Sequence, residues 1–248
     1  FSVLAISAQS KKAIYKDKNA PIEARIENLI SLMTLEEKVG QMNQYNGFWE
    51  VTGPAPKDGQ AAKKYDHLKK GLVGSMLNVV GVKDVKALQK IAVEETRLGI
   101  PLIFGFDVIH GYKTTFPLPL AEAASWDLEA IELAARVAAT EAAASGIHWT
   151  FAPMVDIGRD PRWGRVMEGA GEDTYLGSKI AYARVKGFQG KGLGNLDAVM
   201  ACVKHFALYG APEGGRDYNT VDMSKIRMYN DYLPPYKAAI DAGTASVM

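Results

Sequence analysis

AVMACVKHF, residues 198–206, is an apolar run of strand length that closes on two basic side chains, Lys204 and His205. A short run with no polar alternation is the pattern of a strand covered on both faces, as in a parallel sheet. Working outward, the same pattern recurs at 148–157 (HWTFAPMVDI), at 101–108 (PLIFGFDV) and at 72–80 (LVGSMLNVV), and a further strand begins at 245–248. Helical stretches separate these runs. Residues 84–98 carry apolar side chains at Val85, Leu88 and Ala92, and Gly99 suits the position after a helix end. Residues 127–145 are alanine-rich and stop at Gly146, and 174–189 form another helix. Ser224 is placed to cap the next one, which Pro234-Pro235 interrupts before Asp241. Upstream, a helical pattern runs from Pro21 to about Met33. Thr34-Leu35-Glu36-Glu37 is then a capping box opening a second helix toward Tyr45, followed by a Gly- and Pro-rich loop at 47–57.

Strands alternating with helices predict parallel pairing through right-handed crossovers. A complete barrel of this kind takes ~250 residues. The 248 residues here deliver only about four and a half strands, because the loops are long. The expected fold is therefore α/β: a partial TIM-type (β/α)8 barrel holding roughly the first four to five strand–helix units.

Composition narrows the function. Hydrophobic residues make up 48% and charged residues 23%, enough to bury an ordinary core. Lysine plus arginine (29) nearly balances aspartate plus glutamate (28), so no concentrated basic surface argues for nucleic acid or an acidic membrane. A single cysteine, Cys202, makes neither an intrachain disulfide nor a cysteine-based zinc site. Residues 1–8, FSVLAISA, read either as the tail of a secretory signal peptide cleaved after Ala8 or as a buried N-terminal segment. The expectation adopted is an exported protein, periplasmic or extracellular. No other stretch approaches the ~20 apolar residues that span a bilayer.

Three strands end in polar groups that are costly to bury. One ends in Asp107, followed by Val108-Ile109-His110-Gly111. Another ends in Asp156, followed by the charged loop from Arg159 to Arg165, and a third ends in Lys204-His205. In a barrel these ends converge on the active site. A carboxylate accepts from two neighbouring hydroxyls, while Lys, Arg and His donate to others; the ring of Trp163 is expected to shelter an apolar sugar face. The set suits a polyhydroxylated ligand, and no glycine-rich phosphate cradle of either common type appears. Plainer roles compete. A strand-end aspartate is often a cap or an ion-pair partner. Arg159 and Arg162 are expected to pair with Glu168, Glu172 or Asp173, and His110 and His148 to be structural. Lys204 and His205 resist that explanation, since burying both without partners costs about several kcal/mol.

The same residues carry a resemblance. GFDVIHG (105–111), APMVDIGRDPRWGRVMEGAGEDTYL (152–176), VKHFALYG (203–210) and EGGRDYNTVDMS (213–224) resemble the N-terminal barrel of family 3 glycoside hydrolases, close to the bacterial exported β-glucosidase branch. The likeness extends through TLEEKVGQM from residue 34 and YLPPYKAAIDAGTASVM at 232–248. It implies a retaining, exo-acting β-glucosidase that removes terminal non-reducing β-D-glucosyl residues. It implies that Asp107 binds glucose hydroxyls, that Arg165, Lys204 and His205 line the same subsite, and that Met248 lies near it. Asp217 is carried over on a looser loop alignment. The β-N-acetylhexosaminidase branch, with Asp-Ser-His in the loop after KHF, is set aside because Gly214-Gly215-Arg216-Asp217-Tyr218 stands there.

A retaining mechanism uses two carboxyl groups ~5–5.5 Å apart, a nucleophile and an acid/base. The resemblance implies that the nucleophilic aspartate lies on a later strand and the acid/base glutamate in an α/β sandwich domain. On that basis no catalytic residue lies in this chain. Residues 9–248 are a truncated N-terminal part of the barrel domain, and residues 1–8 a leader remnant. The partners expected are a β-glucoside or oligosaccharide and the remainder of the polypeptide. The chain alone is expected to hydrolyse no aryl β-glucoside, and no cofactor or metal is expected. Alternatives are a β-xylosidase of the same family, a lyase or aldolase using Lys204 as a Schiff-base nucleophile, and a non-catalytic carbohydrate-binding fragment.

Overall fold

Thr34 accepts a hydrogen bond from Glu37 N (3.2 Å) while its own N donates to Glu37 Oε2 (2.8 Å), the reciprocal capping box expected at this helix start. The computed structural model describes residues 13–47 and 57–248; residues 1–8 and most of the 47–57 loop lie outside these. The described residues fall into two compact units.

The smaller unit comprises, of the described residues, 13–45, 57–75 and Gln89–Leu102. It holds α1 (Ile22–Leu32), α2 (Leu35–Gln41) and α3 (Gly59–Lys69). Helix α2 stops at Gln41 instead of running toward Tyr45. The backbone turns there because Asn43 takes other partners: its side chain donates to Leu72 O (3.0 Å) and its carbonyl accepts from Gly74 N (3.1 Å). Helix α3 escapes a pattern search because, of its residues, only Leu68 is buried, so no apolar stripe marks it. Glu37 also receives Arg97 Nε at 2.9 Å, and that bond holds its carboxyl below the usual range.

The larger unit comprises, of the described residues, 46–47, Met76–Leu88 and Ile103–Met248. The last residues of β1 (Gln44–Asn46) and β2 (Ser75–Leu77) belong to it, with β3 (Ile103–Phe106), β4 (Trp149–Thr150), β5 (Cys202–Val203) and β6 (Ser246–Val247). Strands β1 to β4 lie in chain order. Strand β3 pairs parallel with β4, Gly105 opposite Trp149, and β5 parallel with β6, Cys202 opposite Ser246. Parallel bridges from Trp149 to Met200 and from Met154 to Lys204 continue the series from β4 to β5. Six strands among the described residues exceed the four and a half expected. The extra one, β1, is three polar-leaning residues (Gln44, Tyr45, Asn46) that carry no apolar run.

Helices α4 (Val82–Lys90), α5 (Pro119–Ser125), α6 (Leu128–Ala144), α7 (Thr174–Gln189), α8 (Lys225–Arg227) and α9 (Pro234–Asp241) fall between the strands. Asp127 caps α6 and Asp173 caps α7, each accepting a backbone N–H three residues on (2.9 and 2.6 Å). Helix α6 buries Ile131, Ala135, Ala138, Ala139 and Ala142, one stripe at helical spacing. Its small side chains let α7 approach closely. A Cβ added at Gly187 would sit 2.4 Å from Glu132 O. Gly146 ends α6 with φ near 89°, and Val85 fills the space a side chain would need. Ser224 caps α8 by accepting from Arg227 N (3.2 Å), and the helical run continues in wider turns over Met228–Tyr232 until it breaks at Leu233. The interruption expected at Pro234-Pro235 is therefore present, and Pro234 starts α9, where a missing N–H costs nothing. Arg184 of α7 is buried, pairs with Glu122 of α5 and donates to Ile109 O at 2.9 Å, and its burial lowers the guanidinium pKa.

Candidate functional site

Asp107 is the first residue past β3, and Lys204 the first past β5. Lys204 Nζ donates to Asp107 Oδ1 at 2.7 Å. The amine is nearly sealed, its side chain 4% exposed, while the Asp107 side chain is 50% exposed. The cation therefore stands inside and its carboxylate partner faces out, with lone pairs still open to hydroxyl donors.

His205 follows Lys204 and turns to Asp156. Asp156 Oδ2 accepts from His205 N at 2.9 Å and lies 3.0 Å from His205 Nδ1. Asp156 is buried, and its Oδ1 accepts from the Tyr236 hydroxyl at 2.9 Å. Burial, reinforced by the Asp156 charge, pushes the Tyr236 phenol well above its usual range and keeps it a donor.

Arg165 grips Glu168 through two bonds of 2.6 Å each and brings Nη1 to 3.5 Å from His205 Nε2. Its guanidinium lies over the Tyr209 ring, 5.5 Å from the centroid. Arg165 holds the Glu168 carboxyl below the usual range, and the charge of Lys204 pulls the same way. These groups therefore share one field. Asp217 accepts from Trp163 Nε1 at 3.0 Å, a bond that lowers its pKa. Tyr209 packs edge-on against both Trp163 and His205, joining Asp217 to the cluster. Met248 follows β6. It is tied by its backbone to Val203 and Phe206 (3.0 and 2.7 Å), beside the segment that carries Lys204 and His205.

Asp107, Lys204, His205 and Arg165 thus come together, with Asp217 and Met248 at the margin. Other expectations need correction. Trp163 is 1% exposed, its indole held by Asp217 and Tyr209, so it offers no face to a sugar. Arg162 pairs with Asp160, whose carboxyl it draws down to about 2, and Arg159 pairs with Asp231 at 3.0 Å. Neither takes Glu168, Glu172 or Asp173; Glu168 belongs to Arg165, and their three-residue spacing was the available signal. Nothing in the sequence marked Tyr236 or Tyr209. His110 faces Phe116 O at 3.1 Å, and His148 accepts from Phe104 N at 3.2 Å with its pKa lowered by burial, both structural positions.

Carboxylates outnumber cations here, which disfavours phosphate and suits a neutral ligand. Among the described residues no group of three or more ligating side chains is arranged for a metal ion, and no helix is long and apolar enough to cross a membrane.

Parallel strands in chain order, alternating with helices and delivering polar side chains from their carboxyl ends, define the class: a partial (β/α)-barrel domain with its polar cluster at the strand ends. The pattern of the glycosyl hydrolase family 3 N terminal domain matches residues 34–248, and the chain belongs to that family. It is 46% identical over 226 residues to a periplasmic beta-glucosidase of Salmonella typhimurium, covering 91% of this chain and 28% of that one. A beta-glucosidase from Listeria innocua, solved in complex with glucose, is 45% identical with a TM-score of 0.83, covering 91% of this chain and 32% of its own. A beta-xylosidase of Formosa agariphila is 32% identical over 97% of this chain and 29% of its own length. The chain thus spans about three-tenths of the length of these proteins.

Proposed function

We propose that this chain forms the sugar-binding part of a retaining β-glucosidase that removes terminal non-reducing β-D-glucosyl residues. The observation that carries the proposal is the half-exposed carboxylate of Asp107, backed by the buried Lys204 ammonium at 2.7 Å and flanked by His205 and Arg165. Adjacent sugar hydroxyls donate to Asp107, while Lys204, Arg165 and His205 engage others; Met248 and Asp217 border the ring. Such contacts accelerate the reaction only where they tighten in the transition state. The nucleophilic and acid/base carboxylates come from the remainder of the polypeptide, to which residues 9–248 contribute the first part of the barrel domain. The Salmonella relative's name and the FSVLAISA segment support export to the periplasm or beyond.

Two alternatives lose ground. The Lys204 amine is buried and donates to Asp107, an arrangement that suits a hydrogen-bond donor better than a Schiff-base nucleophile. β-Xylosidase activity rests on a relative 32% identical, against 46% for the Salmonella β-glucosidase.

The test compares kcat/KM for p-nitrophenyl β-D-glucoside and β-D-xyloside in the complete polypeptide that carries these residues. The glucoside is expected to be preferred, and Asp107→Asn to lower kcat/KM by about tenfold to a hundredfold, the range of a hydrogen bond to a charged group. A preferred xyloside would shift the assignment, and an Asp107→Asn enzyme with full activity would remove it.

A further inference from the structure

His205 differs from its neighbours in the cluster because its role depends on which ring nitrogen carries a proton. Lysine and arginine can only donate, and a carboxylate can only accept. Two observations fix the imidazole. Nδ1 and the backbone N both approach one oxygen of buried Asp156, at 3.0 and 2.9 Å. Two donors converging on a carboxylate oxygen is satisfied geometry; an unprotonated Nδ1 there would set lone pair against lone pair. At the far side of the ring, Nε2 lies 3.5 Å from Arg165 Nη1, a group with nothing to offer but N–H; at that length the contact is weak, and a substrate hydroxyl takes its place as donor to the single Nε2 lone pair.

Asp156 is held in turn. Its second oxygen lies 2.9 Å from the Tyr236 hydroxyl, which is also 2.7 Å from the His205 carbonyl. Tyr236 is buried, so no solvent competes for that hydrogen. The single phenolic hydrogen is thus shared between the carboxylate and the backbone carbonyl of the histidine which that carboxylate orients.

We propose that Asp156 and Tyr236 are positioning residues that keep the proton of His205 on Nδ1, so that Nε2 is presented as a hydrogen-bond acceptor to a substrate hydroxyl. The proposal rests on the sugar-binding function above and adds the direction of one bond: the hydroxyl donates to His205. A sugar hydroxyl both donates and accepts. A site pairing Lys204 and Arg165 as donors with Asp107 and His205 as acceptors therefore satisfies both capacities of the ring's hydroxyls.

The test labels the histidine ring nitrogens of the complete polypeptide with 15N and identifies the His205 signals by their loss in His205→Asn. Without substrate, Nε2 is expected to show the shift of an unprotonated nitrogen and Nδ1 that of a protonated one. A proton on Nε2 in the unsubstituted protein overturns the proposal. In Asp156→Asn, Nε2 is expected to gain the proton in part, and KM for the aryl glucoside to rise roughly tenfold while kcat changes less. Unchanged tautomer and KM in a folded Asp156→Asn protein overturn it as well. Should that variant not fold, the unsubstituted protein's spectrum decides. Because the tautomer is read without sugar, absence of β-glucoside turnover would defeat the proposed function separately.

Discussion

Tyr236 supplies one hydroxyl to a carboxylate that has no access to water, and its removal leaves Asp156 Oδ1 without that partner. Tyr236→Phe is expected to cost about 1–3 kcal/mol of stability, the usual penalty of an orphaned buried acceptor, read from urea unfolding. Glu168 makes a pH-dependent contribution. Its folded pKa lies below the ordinary value of 4.5, chiefly through Arg165, so its stabilisation is present above that value and is lost as pH falls through the folded one. Acid titration of stability should therefore show the gap between the unsubstituted protein and Glu168→Gln closing below about pH 4.5. A gap that persists at pH 2 would contradict that assignment. At this scale the sequence located Asp107, Lys204 and His205 because charged groups after apolar runs are costly unless used. It misjudged Trp163, since an indole in a charged loop looks available until Asp217 and Tyr209 are seen to enclose it.

Helix α2 announced itself through the capping box from Thr34 to Glu37, whereas the Asp173 cap of α7 emerges only from the structure. Asp173→Ala is expected to destabilise by about 1 kcal/mol, and Asp173→Asn, which caps equally well, by much less. Equal losses from the two would mean that the Asp173 charge, not the cap, matters. Elements lacking such marks stayed hidden. Helix α3 buries Leu68 alone, and β1 is three residues with no apolar run, so neither gives a periodic signal. The proline pair at 234–235 marked a real break, because proline breaks a helix interior but suits a first turn.

Within the larger unit, the buried Arg184–Glu122 pair ties α5 and α7 to the loop after β3 that follows Asp107. Arg184→Met is expected to cost about 3–5 kcal/mol by stranding the Glu122 carboxylate, and adding Glu122→Leu to recover most of that loss. A double variant no more stable than the single one would show that the pair is not the source. The fold class was legible because repeated apolar runs separated by helices admit few other arrangements. The mutual geometry of the cluster was not, since Asp107 and Lys204 are 97 positions apart and meet only through strand order. The most direct measurement is a crystal structure of the complete polypeptide with D-glucose bound. The expected result is a pyranose whose hydroxyls contact Asp107, Lys204, Arg165 and His205 Nε2. Glucose bound away from these four side chains would contradict the account.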